Sequence, residues 1–325
     1  MHNRIVIDGD FKTQLRCHLS VNEMLRPMFE LQALKYNRYA VYKTHLDYLR
    51  AGAKIIKTNT DRASEDSVKE YLNVGELQAS SIIGAAVQTA KKAVHRYYEE
   101  THGKISNVKE FERRRPLVAG SCSNYSVVRF TSDVPIEYWN FTPRDVIVRW
   151  YGLHVKTLLS NGVDLLAFES IPCLTEAKAI ITVLKMFPKA RAWITFDCPV
   201  DAKLLDGSDF ISLALQCYDF LSAQIIAIGM NRPMPASMVP LLRSINDNRD
   251  SKIPFMFHVD NRYLSGIENA AASGKAPQRN FAQEWLDVGV RYISGGGKTN
   301  AEDVKTVCEY VREYRSSRKG NWQRK

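Results

Sequence analysis

Carboxylates, amides and a few basic residues recur at one kind of place in this chain, directly after short apolar runs. Runs at 5–7, 54–57, 117–119 and 165–168 are followed by Asp8-Gly9-Asp10, Thr58-Asn59-Thr60, Gly120-Ser121 and Glu169-Ser170. Runs at 192–196, 225–228, 255–259 and 292–293 lead into Asp197-Cys198, Gly229-Met230-Asn231-Arg232, Asp260-Asn261 and Gly295-Gly296-Gly297-Lys298. Side chains of these types can orient a polar small molecule, move a proton or neutralise a cation. The histidines show no HxH or HxxxH spacing and the cysteines no CxxC, so the linear pattern offers no ready metal site.

The apolar runs read as strands. Several carry Ile, Val, Leu or Phe on successive residues, as strands covered on both faces do. Helical spacing separates them: Ala177, Ile180, Ile181 and Leu184 fall at i, i+3, i+4 and i+7, and so do Val304, Val307, Cys308 and Val311. Thr142-Pro143 reads as an N-cap and first-turn proline. Thr175-Glu176 and Asn300-Ala301-Glu302-Asp303 put acids at helix starts, where the dipole favours them. Eight strand–helix units imply parallel strands with crossovers, which close into an α/β (β/α)8 TIM barrel or, from pattern alone, an open doubly wound sheet. In a barrel all the polar groups named above gather at one mouth. Two stretches read as insertions, 95–116 and 123–141. The second follows the third strand, carries Tyr125, Phe130, Tyr138 and Trp139, and is a candidate lid.

The chain has 325 residues, 45% apolar and 25% charged, enough for one large barrel with an unstapled core. The expectation is a single domain over 1–316, followed by a basic disordered tail over 317–325. No apolar run approaches the roughly 18 residues of a membrane span, and no signal-peptide pattern opens the sequence. Six scattered cysteines read as reduced thiols and a cytoplasmic setting. The net charge of +10 concentrates at 104–115 and in the tail, without the interleaved aromatics of a nucleic-acid module. Neither membrane nor nucleic acid is therefore an expected partner; a small molecule is.

Several segments taken in order resemble one family. Ile7-Asp8-Gly9 with Thr13, AGAKIIKTNTDRAS (51–64), VAGSCSNY (118–125), NGVDLLAFESIPCLTEAKAI (161–180), WITFDC (193–198), DGS (206–208), AIGMNRP (227–233) and ISGGGKTNAEDVKTV (293–307) are similar to the successive motifs of the homocysteine, selenocysteine and betaine–homocysteine methyltransferases. The resemblance implies the barrel fold and methyl transfer from a sulfonium or ammonium donor to the sulfur of homocysteine. It implies a substrate-binding set of Asp8, Gly9, Asn59, Ser121, Glu169 and Asn231, with Glu169 on the amino group. It also implies zinc held by three cysteines, which deprotonates and orients a thiol that is otherwise a poor nucleophile.

Those three positions are Arg232, Gly296 and Gly297 in this chain. Glycine offers no side-chain donor, and a guanidinium keeps its proton and has no free lone pair. The expected cofactor is therefore none. A relocated site from Cys122, Cys173 and Cys198 is the remaining route to zinc. Arg232 is expected to pair with Asp10 or Glu169 and fill the vacated metal position. Three functions follow as alternatives. The chain has lost zinc-dependent catalysis and persists as a binding paralogue. Or it transfers methyl groups without zinc, with Glu169, Asp8 or Asp10 as base, which needs a carboxyl raised by burial. Or the mouth takes a small anion on Gly295-Gly296-Gly297-Lys298-Thr299, although Tyr292 breaks the Walker pattern there.

Overall fold

The computed structural model describes residues 4–125, 142–198, 202–231, 235–247, 249–259 and 285–322. All eight expected strands form: β1 (Ile5–Val6), β2 (Ile55–Lys57), β3 (Leu117–Cys122), β4 (Leu165–Ile171), β5 (Ala192–Asp197), β6 (Ile225–Asn231), β7 (Phe255–Val259) and β8 (Val290–Gly295). They make one parallel sheet in the order β1-β8-β7-β6-β5-β4-β3-β2. The open ends meet through a parallel bridge between Ile7 and Ile55, with the Asp8 amide donating to the Ile55 carbonyl at 3.0 Å. This is the (β/α)8 barrel, and the doubly wound alternative falls.

Alternation sorts the strand residues between two cores. Ile7, Ile55, Ala119, Leu165, Ala167, Trp193, Ala227, Met256 and Tyr292 pack together inside the barrel. Their neighbours in sequence face the helices, where Ile56, Val118, Leu166, Phe168, Ile194, Phe196, Ile228 and Phe257 join the larger core. Polar residues replace apolar ones inside only at the last layer, so a packed floor supports a polar mouth.

The helices follow their sequence signals with adjustments. After β1 the chain makes α1 (Phe11–Leu15), α2 (Val21–Met24), α3 (Phe29–Tyr36) and α4 (Arg38–Arg50). Asp10 caps α1, and Ser20 with Glu23 forms a capping box on α2. After β2 come α5 (Glu65–Leu72), α6 (Glu76–His102) and α7 (Val108–Arg114). The expected insertion at 95–116 is thus the last turns of one long helix plus a short one. Tyr98, His95 and Phe111 pack against one another there, which is why the basic stretch is ordered. Further on lie α8 (Arg144–Ser160), α9 (Leu174–Met186), α10 (Phe210–Phe220), α11 (Pro235–Asp247) and α12 (Ala301–Trp322). Pro143 rather than Thr142 is the N-cap of α8, so the helix starts one residue later than expected, with an extended ψ of 134° at the cap. Asn300 and Asp303 exchange bonds at the start of α12 (3.1 and 2.9 Å), and that helix continues past residue 316 into the expected tail.

Candidate active site

The mouth is organised by an ammonium that motif reading passed over. Lys57, the last residue of β2, points into the barrel and places Nζ 3.0 Å from Oε2 of Glu169 and 3.9 Å from Oδ1 of Asp8. The Lys57 amide also donates to Oδ2 of Asp8 at 2.7 Å. Trp193, on the barrel floor, donates Nε1 to Glu169 Oε1 at 3.1 Å. His258 from β7 brings Nε2 to 3.5 Å from the same oxygen. Glu169 therefore spans the barrel axis and touches groups from β2, β5 and β7.

The protonation states follow from burial and pairing. Burial alone would raise the Glu169 carboxyl, but Lys57, with His258 and Trp193, holds it below the usual carboxylate range. Burial likewise opposes charge on Lys57, and Glu169 with Asp8 outweighs it, so the ammonium is firmly protonated. Asp8 is fully buried, and desolvation pushes its carboxyl up to about 7 despite Lys57. Burial brings His258 down to about 4, so its imidazole is neutral and the contact with Glu169 is dipolar rather than an ion pair. Among the described residues, Asp8 Oδ1, Asn231 Oδ1 and His258 Nε2 are buried here without a hydrogen-bond partner. Buried groups of this kind cost stability unless something meets them.

Glu169 reaches the axis because β4 breaks register there. The β4–β5 pairing shifts between Phe168 and Ile171, and Ser170 takes a left-handed φ of +59°. The strain is held by three bonds. Asn124 Nδ2 donates to the Ser170 carbonyl at 2.8 Å, the Ser170 amide donates to Thr195 Oγ1 at 3.2 Å, and Asn231 Nδ2 donates to Ser170 Oγ.

The expected residues divide by role. Asp8 and Glu169 meet around Lys57, and Asn231 joins them through Ser170. Asn59 is turned the other way: its Nδ2 donates to the Glu30 carbonyl at 2.8 Å and braces α3 over the mouth. Ser121 is tied through its backbone, receiving from Thr60 Oγ1 at 2.8 Å and His154 Nε2 at 3.1 Å. Gly9 serves close packing, since a Cβ there would come within 2.8 Å of Thr299 Oγ1 and 3.0 Å of the Tyr48 ring. Asp10 caps α1 through the Lys12 amide and Thr13 Oγ1, and also accepts from the Lys298 amide at 3.1 Å. Arg232 and Asp260 lie outside the described residues. The cation seen beside Glu169 is Lys57, and Asp10 accepts from the backbone amide of Lys298. Of the candidate lid only 123–125 is described, and Tyr125 is buried.

The glycine loop after β8 is poorly suited to an anion. The Gly295 amide donates to the Asp8 carbonyl, that of Gly296 to Val259, that of Lys298 to Asp10, and that of Thr299 to the Gly296 carbonyl. These donors are spent inside the fold, and Asp10 adds a carboxylate where an anion would sit. Side chains at 296 and 297 would nevertheless be accommodated. A Cβ on Gly297 meets nothing within 4 Å, one on Gly296 comes to 3.3 Å of the Val259 carbonyl oxygen and needs a shift of a few tenths of an ångström, and neither has a left-handed φ. As the chain stands, these positions carry no zinc donor. Burial also pushes the Cys173 and Cys198 thiols up to about 12 and Cys122 well above its ordinary value, so the alternative cysteine set resists becoming thiolate.

One buried carboxylate supports the mouth from outside. Glu176 in the first turn of α9 accepts from the Tyr125 amide and the Tyr151 hydroxyl, both at 2.5 Å. Burial pushes it up to about 7 against both bonds. A folded-state value above the unfolded one means the folded chain binds the extra proton between about pH 4.5 and 7, so Glu176 costs stability as pH rises through that window. Glu176→Gln is expected to gain stability relative to the parent over this range by at most about 1.4 kcal/mol per pH unit, with a flat difference above it. Urea unfolding of both proteins at pH 5, 6, 7 and 8 checks it.

Comparison with known proteins agrees with the fold. The chain is 29% identical over 312 residues to betaine-homocysteine S-methyltransferase of Drosophila melanogaster, covering 93% of this chain and 92% of that one. It is 26% identical over 320 residues to homocysteine S-methyltransferase YbgG of Bacillus subtilis, covering 96% of each. The metallated form of the homocysteine methyltransferase MmuM from Escherichia coli shares the fold with a TM-score of 0.72 at 23% identity, over 93% of this chain and 94% of that one. The family model described as Homocysteine S-methyltransferase matches residues 5–311, and the chain belongs to that family.

Proposed function

We propose that this protein binds homocysteine or a closely related thiol amino acid at the barrel mouth and has lost zinc-dependent methyl transfer. The observation that carries this reading is the split character of the mouth. The carboxylates Asp8 and Glu169 and the amide of Asn231 remain gathered at the axis, while Gly296 and Gly297 offer no ligand atom where the family places cysteines. Asn231 Oδ1, buried and without a hydrogen-bond partner, is an acceptor that an ammonium would satisfy. A cytoplasmic setting fits six free cysteines, and among the described residues no helix is long and apolar enough to cross a membrane.

The test combines metal analysis, thermal shift and a methyl-transfer assay. The expected result is substoichiometric zinc, a higher Tm with homocysteine, and no turnover that chelation abolishes. Ligand at 100 times its Kd stabilises by about 2.7 kcal/mol, a shift read easily in a melt. One zinc per chain with chelator-sensitive methyl transfer would overturn the reading.

A second reading, methyl transfer without zinc, is favoured by one observation. Of the carboxylates considered as base, Asp8 alone combines a value raised to about 7 with an unpartnered oxygen. Glu169 is held low by Lys57, and the Asp10 side chain is engaged in capping.

A further inference from the structure

We propose that Asp8 and Lys57 form a pair that generates and holds a ligand thiolate, with Asp8 taking the proton and the Lys57 ammonium stabilising the sulfur anion. This rests on the reading that the mouth binds a thiol amino acid, and assigns the chemistry that replaces the metal's. The ligand's S–H bond breaks, its proton bonds to Asp8 Oδ1, and the electron pair stays on sulfur beside Lys57 Nζ. No oxidant, metal or further reactant is needed.

The geometry supports the assignment. Asp8 Oδ2 is held by the Lys57 amide at 2.7 Å, which fixes the carboxyl and leaves Oδ1 without a partner. Oδ1 and Nζ are 3.9 Å apart, too far for a hydrogen bond and suited to bridging by a larger third atom. Nζ is braced on its other side by Glu169. The side chains of Lys57 and Glu169 each keep 13% exposure whereas Asp8 keeps none, so the Lys57 side is the exposed side of the pair.

The electrostatics are consistent. Facing Asp8 are Lys57 from β2, Glu169 from β4, Asp10 beyond β1 and the Tyr48 hydroxyl from α4; His258, from β7, faces Glu169. Burial raises Asp8 to about 7, close to the range where a carboxyl can take a proton from a thiol. A free thiol near 8.5 leaves transfer to such a base roughly 30-fold unfavourable, and an ammonium beside the sulfur lowers the thiol in the direction required. Moving the proton to Asp8 keeps the total charge of the cluster unchanged, so no further buried charge is created.

The experiment uses the full chain with homocysteine and with homoserine, which replaces the thiol by a hydroxyl. Thiolate is read by its ultraviolet difference absorbance at pH 7.5, and binding by calorimetry. Wild type is expected to show about one thiolate per bound homocysteine and none with homoserine. Asp8→Asn is expected to lower the thiolate signal at least about tenfold while keeping the circular dichroism spectrum and cooperative melt of wild type, which certify its fold. Lys57→Arg keeps the charge and is expected to keep the signal, whereas Lys57→Gln loses it. Homocysteine bound by wild type as the thiol, without the absorbance, overturns the pair and leaves the binding reading standing. Failure to bind either amino acid overturns both.

Discussion

Replacing Arg232, Gly296 and Gly297 together by cysteine is expected to convert a protein without a zinc donor at these positions into one that holds a single zinc ion per chain. The backbone conformation permits two of the three changes, one freely and one with a small local shift. Neither glycine uses a left-handed φ, a Cβ on Gly297 is unobstructed, and one on Gly296 comes to 3.3 Å of the Val259 carbonyl. Three thiolates with one position left for a ligand make a catalytic type of zinc site, and zinc binding to such sets reaches about 10–16 kcal/mol in small peptides at neutral pH. Metal analysis after dialysis, and competition with a chromophoric chelator, check the stoichiometry. Partial variants carrying one or two cysteines are expected to bind far more weakly. A triple variant that folds and binds no zinc would show that more than the ligands has changed at this mouth, with Lys57 the first suspect because its ammonium would repel a dication.

Lys57→Met is expected to be the most destabilising single change at the mouth. It leaves Asp8, fully buried, and Glu169, 13% exposed, without the cation that both face. Removing one partner from a buried ion pair costs about 3–5 kcal/mol, because a charge is left behind without compensation. The cost depends on pH with a definite sign. Asp8, raised to about 7, takes up a proton as pH falls and then no longer needs the ammonium. The loss is therefore largest at pH 8 and smaller at pH 5.5. Adding Glu169→Gln is expected to recover part of it, since the second carboxylate then carries no charge. Urea unfolding at the two pH values measures both effects. A Lys57→Met protein within about 1 kcal/mol of the parent at pH 8 would mean that water already screens these charges.

The fold was readable because strand and helix periods are local facts about residue order. The runs at 165–168 and 192–196, largely apolar on successive residues, read as strands covered on both faces, and the stripe Ala177-Ile180-Ile181-Leu184 read as a helix packed on one side. The strand-end polar residues were readable as one mouth once eight parallel units were counted. Lys57 was not, because it sits inside an apolar run, where its stem reads as part of the strand. A lysine ending a doubly covered strand was the signal available, as was the histidine in Phe255-Met256-Phe257-His258-Val259. Asn59 shows the opposite limit. Its motif matched, yet its amide is spent on the Glu30 carbonyl, a contact 29 residues away that no spacing rule reveals.

By itself, then, the sequence determined eight parallel strand–helix units, the strand ends to which polar groups belong, and the absence of donor side chains at 296 and 297. Each depends only on residue type and period, while closure into a barrel was seen only in the Ile7–Ile55 bridge. Tertiary structure alone decided which of those groups meet. Glu169 reaches the axis through the register shift at Ser170, Lys57 joins it from two strands away, and Asp8 is sealed beneath them. Charge states then follow from that enclosure, since burial and distance, not residue identity, set whether a carboxyl titrates near 4 or near 7.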